Sequence, residues 1–223
     1  MSSSIINENC LLKINLNFLR NNYNHIKKIL KNSRVGCVLK SDAYGLGLIE
    51  VTKKLLKIGC RDFFLTNLSE TLKVRKECNK SNIILLNGLI NLEKDEINEI
   101  FHKKIIPTIN SLDELKKFNE LSKNVSYKPE ITLHFDTGIN RLGIDEQERI
   151  PVIEYCKKFQ IEVFCVMSHL ASADESYNKF NNKQNLKFKK IIKNFPDAIH
   201  SIANSHAIIN LNKIQYDLVR IGG

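Results

Sequence analysis

With 223 residues, of which 43% are hydrophobic and 26% charged, the chain has the size and balance of one soluble globular domain. No apolar run approaches the ~18 residues of a membrane span, and the N-terminus lacks the basic and apolar regions of a targeting peptide, so we expect a cytoplasmic protein. A formal net charge of +10 would suit a nucleic-acid partner, but no basic stripe with interleaved aromatic residues supports one.

Residues 1–33 precede the regular part of the chain. A short apolar run at 11–16 predicts a strand there. The helix predicted after it has one apolar face, made of Leu19, Tyr23, Ile26 and Leu30. Eight further apolar runs predict strands, at 34–39, 62–66, 82–86, 104–108, 130–135, 162–167, 198–202 and 217–221. Helical patterns lie between them, at 48–58, 68–78, 91–102, 111–121, 146–159, 178–195 and 205–211.

The repeated order of strand and helix predicts parallel strands joined by right-handed crossovers. Eight such units close into a (β/α)8 TIM-type barrel, whereas an open doubly wound sheet more often stops at five or six strands. No helix follows the eighth strand, and no linker or internal repeat divides the chain. We therefore predict one barrel domain over residues 1–223, without its final helix.

Two residue classes in this pattern have ordinary structural explanations. The densest basic run, 187–193, alternates lysines with Phe188 and Ile191 at helical spacing, which is typical of a helix with one solvated face. The six cysteines are far apart and contain no Cys-x-x-Cys pair, so most should be buried hydrophobic residues. His134, Asp136 and His169 do not form a recognised ligand spacing, and we expect no metal site.

Polar residues follow several of the predicted strands. In barrels of this kind reactive groups cluster where strands end, and phosphate often binds after strands seven and eight. We therefore expect one shared site at this end of the barrel. Its members would be Lys40, Asp136, Arg141, His169, Asn204, Ser205, Arg220, Gly222 and Gly223.

Lys40 is the residue of greatest interest because it ends an apolar strand. A partly desolvated amine at a barrel mouth favours its neutral form, and a neutral amine can form a Schiff base. The ordinary alternative is a surface lysine paired with an acid such as Asp42. Position alone does not decide between them.

Four segments resemble, in order and spacing, the motifs of the alanine racemase family. They are VLKSDAYGLG at 38–47, FDTGINRLG at 135–143, SHLASADE at 168–175, and ANS at 203–205 followed by DLVRIG at 217–222. The resemblance spans nearly the whole chain. It implies a pyridoxal-phosphate-dependent amino-acid racemase that interconverts L- and D-alanine. The D-alanine product would be a cell-wall precursor.

The resemblance also implies a role for each matched residue. Lys40 would carry pyridoxal phosphate as a Schiff base and act as one of two bases at the substrate Cα. The phosphate would be held by Tyr44, Ser205, Gly222 and Gly223, groups that offer hydroxyls and backbone N–H donors. Asn204 would order the turn before Ser205, and it would also serve as a helix cap.

Three further roles follow from the same resemblance. Arg220 would donate to the pyridine nitrogen, and because a guanidinium keeps its proton it would leave that nitrogen unprotonated. Arg141 would bind the cofactor's phenolic oxygen and approach the substrate carboxylate. His169 would pack against the cofactor ring. Catalytic roles therefore fall on Lys40, Arg141 and His169.

The sequence departs from the family's pattern in two respects. Family members continue into a β domain that supplies, from the neighbouring subunit of a homodimer, the tyrosine that serves as the second base. That domain is not among these 223 residues, so we expect little racemisation by this chain alone. His134 stands where some members carry a modified lysine that orients the equivalent of Arg141.

Two interpretations remain open at this point. The chain is either part of a racemase that needs a complementing domain, or a stand-alone pyridoxal-phosphate barrel similar in size to the cofactor-homeostasis proteins. The pattern Asp136-Thr137-Gly138 through Arg141 and Gly143 favours the first, while length favours the second.

Overall fold

The computed structural model describes residues 12–30, 32–211 and 214–222. The strands are β1 (Arg34–Val38), β2 (Asp62–Leu65), β3 (Asn82–Leu85), β4 (Ile106–Ile109), β5 (Glu130–His134), β6 (Glu162–Met167), β7 (Ile199–Ser201) and β8 (Leu218–Ile221). The helices are α1 (Leu16–Ile29), α2 (Lys40–Gly45), α3 (Leu48–Lys57), α4 (Leu68–Glu77), α5 (Lys94–His102), α6 (Leu112–Ser122), α7 (Arg149–Phe159), α8 (Lys179–Ile192) and α9 (Ser205–Asn210).

The eight strands form a nearly closed parallel barrel. Their order is β7-β6-β5-β4-β3-β2-β1-β8, so every strand from β1 to β7 pairs with its neighbour in sequence and β8 returns to β1. The seam between β7 and β8 is joined by Arg220 N, which donates to Ala203 O at 3.0 Å. At the other end of the seam His200 N donates to the Asp217 carboxylate at 2.8 Å. The predicted (β/α)8 fold is confirmed.

No helix follows β8 in the part of the chain that the structure describes. The N-terminal helix α1 instead packs against β1 and α3. Lys54 Nζ on α3 donates to Asn17 Oδ1 at 3.1 Å, and Tyr23 is buried in the face that α1 turns to the barrel. Helix α1 therefore covers this side of the barrel.

The core has two compartments because strand side chains alternate between faces. The larger compartment lies between strands and helices and contains, for example, Phe63 and Leu65. The smaller one takes alternate positions, including Phe64, Ile84 and Leu218, and fills the barrel interior. Gly36 makes room for Phe64, since a Cβ at residue 36 would lie 2.6 Å from Phe64 Cε2.

The structure differs from the prediction at the start of the chain. Residues 12–15 form no strand, and α1 already begins at Leu16, where the Asn15 side chain accepts a hydrogen bond from Asn17 N at 3.0 Å. Leu12 is 72% exposed, so the apolar run does not pack as a buried strand would. Residue 11 of the predicted strand lies outside the described residues.

Other boundaries move by a few residues for identifiable reasons. Strand β4 starts at Ile106 because Lys104 adopts a left-handed conformation in the turn after α5. Helix α7 starts at Arg149 because the Asp145 carboxylate first accepts from the N–H groups of residues 147 and 148 in a separate turn. Helix α6 starts at Leu112 because the Ser111 side chain caps it by accepting from Glu114 N.

The lysines of the basic run at 187–193 are solvated, and the described cysteines are buried. Phe188 and Ile191 are buried in α8, while the lysines at 187, 189, 190 and 193 are exposed, as predicted. Five cysteines are free and buried, namely Cys37, Cys60, Cys78, Cys156 and Cys165. Cys10 lies outside the described residues. Within the described ranges no helix is long and apolar enough to cross a membrane.

Candidate active site

A cavity of about 670 Å³ opens at the carboxyl ends of the strands. Almost every site residue predicted from the sequence lines it, namely Lys40, Tyr44, Arg141, His169, Asn204, Ser205, Arg220 and Gly222. His134, which stands where some family members carry a modified lysine, lines it too. The sequence alone did not single out Thr66, Asn87 or Met167, which also line it. Gly223, predicted to bind phosphate, lies outside the described residues. Asp136 does not line the cavity.

Lys40 enters the cavity from a strained turn. The four residues from Ser41 to Tyr44 all have left-handed backbone conformations, with φ between 53° and 58°. Such a conformation costs about 1–2 kcal/mol per residue outside glycine, so the surrounding structure must impose it. Strain of this kind is concentrated at functional sites.

Asp42 and Glu70 hold this turn in place. The Asp42 carboxylate accepts from Leu48 N at 2.8 Å, and Asp42 N donates to Glu70 Oε1 at 2.7 Å. Asp42 is therefore engaged with the backbone, and Lys40 forms no ion pair with any residue that the structure describes. The Lys40 amine lies 5.9 Å from the centre of the Tyr44 ring. The surface ion pair with Asp42 that we considered is not formed.

Ser205, Gly222 and Tyr44 converge on one side of the cavity. Ser205 Oγ accepts from Gly222 N at 3.1 Å and lies 3.0 Å from Gly222 O. A Cβ at residue 222 would collide with the Tyr44 hydroxyl and would lie 2.9 Å from Val38 Cβ. Only glycine therefore lets the backbone of β8 approach these hydroxyls so closely. Asn204 caps α9 by accepting from Ala207 N at 3.0 Å.

Arg220 is a buried cation held by neutral groups. One end of its guanidinium donates to Ser201 O at 3.1 Å and to Ser201 Oγ at 2.6 Å. The other end donates to Ser168 O at 2.6 Å and lies 3.5 Å from His169 Nδ1. Burial lowers the pKa of Arg220 to about 10, so the group remains charged at neutral pH.

Two histidines of the cavity lining, His134 and His169, are neutral. Burial, followed by the charges of Arg220 and Arg141, lowers the pKa of His134 to about 3 and that of His169 to about 3. His134 Nδ1 lies 2.9 Å from Asn110 Oδ1, an arrangement that favours a proton on Nδ1 and leaves Nε2 as an acceptor. Asn110 was missed from the sequence, although it directly follows β4 and so obeys the strand-end rule.

The loop that carries Arg141 is built around Asp136. Its carboxylate accepts three backbone hydrogen bonds, from Gly138 N at 2.7 Å and from Ile139 N and Asn140 N at 2.9 Å each. The carboxylate is therefore occupied by the backbone. The described residues contain no group of three or more His, Cys, Asp or Glu side chains placed to hold a metal ion.

The charges of the cavity favour an anionic ligand. Lys40, Arg141 and Arg220 line it, and its lining contains no Asp or Glu among the described residues. Hydroxyls and a backbone N–H at one side suit a phosphate, and a primary amine at the same mouth suits an aldehyde. The donors present therefore fit a phosphorylated aldehyde such as pyridoxal phosphate.

Known proteins resemble this chain in sequence and in fold. The family described as alanine racemase, N-terminal domain, matches residues 14–223. An alanine racemase of Rickettsia canadensis is 36% identical over 217 residues, which cover 96% of this chain and 60% of the relative. One from Rickettsia africae is 33% identical over 215 residues, again 96% of this chain and 60% of the relative.

Solved structures of alanine racemases also superpose on this chain. Alanine racemase from Bartonella henselae, crystallised with covalently bound pyridoxal phosphate, superposes with a TM-score of 0.87 at 29% identity, covering 94% of this chain and 60% of that one. An alanine racemase of Clostridium difficile 630 gives 0.84 at 29% identity, with 94% and 56% covered. This chain thus spans about 60% of the length of these relatives. The chain belongs to the alanine racemase family, in which it matches the N-terminal domain.

Proposed function

We propose that this chain is the cofactor-binding half of a cytoplasmic, pyridoxal-phosphate-dependent alanine racemase that supplies D-alanine as a cell-wall precursor. The observation that carries the proposal is that Lys40, Tyr44, Ser205, Arg220 and Gly222 line one cavity. The proposal extends to a homodimer, in which a β domain of the partner would supply the second base. Among the residues that the structure describes, Lys40 is the amine placed in this cavity to serve as a base.

Ser205, Tyr44 and Gly222 would hold the phosphate, and Lys40 would hold the aldehyde carbon. When bound, pyridoxal phosphate condenses with amines and withdraws electrons from the Cα of an attached amino acid, which makes the Cα proton acidic. The free amine of Lys40 would accept or return that proton on one face of Cα. Proton return on the opposite face requires a second base.

Arg141, Arg220 and His169 would set orientation and charge. The Arg141 guanidinium would bind the substrate carboxylate through paired N–H donors. Arg220 would donate a hydrogen bond to the pyridine nitrogen and keep its own proton, because its pKa of about 10 lies well above neutral pH. Neutral His169 would pack against the cofactor ring without adding a charge.

Covalent trapping tests the cofactor assignment. The chain is incubated with pyridoxal phosphate, reduced with borohydride, and the pyridoxyl group is mapped by peptide mass spectrometry. We expect the label on Lys40 and its loss in Lys40→Ala, with Lys57→Ala, an exposed lysine near the end of α3, as the matched control. Label spread over several lysines, or absent, would contradict the proposal.

Isotope exchange tests the racemase assignment. In D₂O with pyridoxal phosphate, we expect the chain to exchange the Cα proton of one alanine enantiomer slowly, in a Lys40-dependent manner, with little net racemisation. Exchange of neither enantiomer by a chain labelled at Lys40 would instead support the stand-alone homeostasis protein. Rapid racemisation by these residues alone would show that the account of the second base is wrong.

A further inference from the structure

Gln184 is a fully buried polar residue on α8 that no role described so far uses. Its relative exposure is 0%. Its Oε1 accepts from Ala171 N at 2.9 Å, and its Nε2 donates to His169 O at 3.0 Å and to Thr137 Oγ1 at 3.1 Å. One amide thus satisfies the backbone on both sides of Leu170 and also reaches the loop after β5.

The first consequence concerns His169. The carbonyl of residue 169 and the N–H of residue 171 bind the same side chain, which fixes both peptide planes between them. The direction of the His169 side chain follows from the backbone that carries it. Gln184 therefore sets the position from which this imidazole faces Arg220.

The second consequence concerns the Arg141 loop. Thr137, which is 1% exposed, lies in the same loop as Arg141, and its Oγ1 is hydrogen-bonded to Ser168 Oγ at 2.8 Å. Ser168 O in turn accepts from Arg220 at 2.6 Å. A continuous set of buried hydrogen bonds therefore joins Gln184 to both loops and to the buried cation.

We propose that Gln184 is a positioning residue of the active site, which holds the backbone of His169 in register with the loop that carries Arg141. The effect of Gln184 on catalysis rests on the proposed function. Its positioning of the two loops does not, because the hydrogen bonds are present in the chain without cofactor. A purely structural amide would stabilise the fold without fixing these two loops relative to each other.

Asn185 offers a matched control on the same helix. It is also buried, at 6% exposure, and its Oδ1 accepts from Tyr216 at 2.6 Å, away from the cavity. Gln184→Met and Asn185→Leu each remove one buried amide of α8 and replace it with an apolar side chain of similar size. A general loss of stability would affect both variants. Displacement of the His169 backbone relative to the loop that carries Arg141 would affect Gln184→Met alone.

The primary measurement is amide hydrogen exchange of the chain without cofactor. In Gln184→Met we expect exchange of the Ala171 amide and of residues 137–141 to rise at least tenfold over the wild type, with both segments unchanged in Asn185→Leu. A second readout is the NMR signal of the His169 imidazole between pH 7 and pH 5, where the lowered pKa keeps the wild-type ring neutral and we expect protonation to begin in Gln184→Met alone. Equal changes in the two variants, or none in Gln184→Met, would overturn the proposal.

Thr137→Val keeps the test decisive if Gln184→Met does not fold. This variant removes the hydroxyl while Gln184 keeps its contacts with His169 O and Ala171 N. We expect faster exchange in residues 137–141 with the Ala171 amide still protected. An unchanged loop in Thr137→Val would contradict the link to Arg141.

The catalytic meaning is tested separately with pyridoxal phosphate. We expect Gln184→Met to retain the borohydride label on Lys40 but to lower the rate constant of Cα proton exchange about tenfold, because a small misplacement of catalytic groups is costly. Asn185→Leu should keep the wild-type rate. A wild-type chain without label would refute the proposed function, and the cofactor-free measurements would still decide the role of Gln184.

Discussion

Acidification should destabilise this chain through two buried imidazoles. The pKa of His134 and that of His169 both fall from 6.5 to about 3 because burial, together with the charges of Arg220 and Arg141, disfavours the protonated form. In the unfolded chain both imidazoles are free to take up protons near pH 6.5. The free energy of unfolding is therefore highest above about pH 6.5 and decreases as the pH falls from about 6.5 toward about 3.

The magnitude follows from the two pKa values of each group. Between about pH 8 and about pH 5, an imidazole with a folded pKa of about 3 and an unfolded value of 6.5 removes about 2 kcal/mol of stability. The two histidines together remove about 4 kcal/mol, against a total of ~5–15 kcal/mol for a typical domain. Mild acid should therefore bring the protein close to its unfolding transition.

Urea denaturation across this pH range measures the effect. Other groups titrate as well, so the informative quantity is the slope of the free energy of unfolding against pH, compared between the wild type and His134→Gln. In this variant the amide can still donate to Asn110. We expect this variant to lose about 2 kcal/mol of the pH dependence. His102→Gln, at an exposed position at the end of α5, is the control. Equal pH dependence in all three proteins would refute the reasoning.

Three further substitutions have defined outcomes. Gly222→Ala places a Cβ against the Tyr44 hydroxyl and 2.9 Å from Val38 Cβ. We therefore expect the affinity for pyridoxal phosphate to fall at least tenfold in an absorbance titration, and an unchanged affinity would contradict the phosphate assignment. Arg220→Lys cannot reach all the acceptors of the planar guanidinium, and we expect about 2–3 kcal/mol of lost stability in urea denaturation; a loss below about 0.5 kcal/mol would be inconsistent with this geometry. Asp136→Ala leaves three backbone N–H groups without their acceptor, so exchange of these amides should rise at least tenfold by NMR while α8 is unaffected.

The barrel and the placement of its site were accessible from the sequence for one physical reason. Strands buried on both faces are short apolar runs, and parallel strands bring their carboxyl ends to one side. Lys40, Ser205 and Arg220 are far apart in the chain but each follows or ends such a run, so their convergence could be predicted. The motif resemblance added the identity of the ligand that they would hold.

Other features could not be read from local pattern. The left-handed turn after Lys40 is held by hydrogen bonds that join Asp42 to Leu48 and to Glu70, whereas the residues of the turn would individually avoid this conformation. Gln184 resembles any polar residue of an amphipathic helix, and its importance lies in contacts with backbone atoms more than ten residues away. The apolar run at 11–16 predicts a strand, but residues 12–15 form none and Leu16 begins a helix.

A crystal structure of the chain reduced with borohydride in the presence of pyridoxal phosphate tests the central claim most directly. We predict continuous electron density from Lys40 Nζ to the pyridoxyl ring, with the phosphate within hydrogen-bonding distance of Ser205 Oγ and Gly222 N and the ring nitrogen facing Arg220. A ring attached to another lysine, or a phosphate bound away from Ser205 and Gly222, would contradict the account.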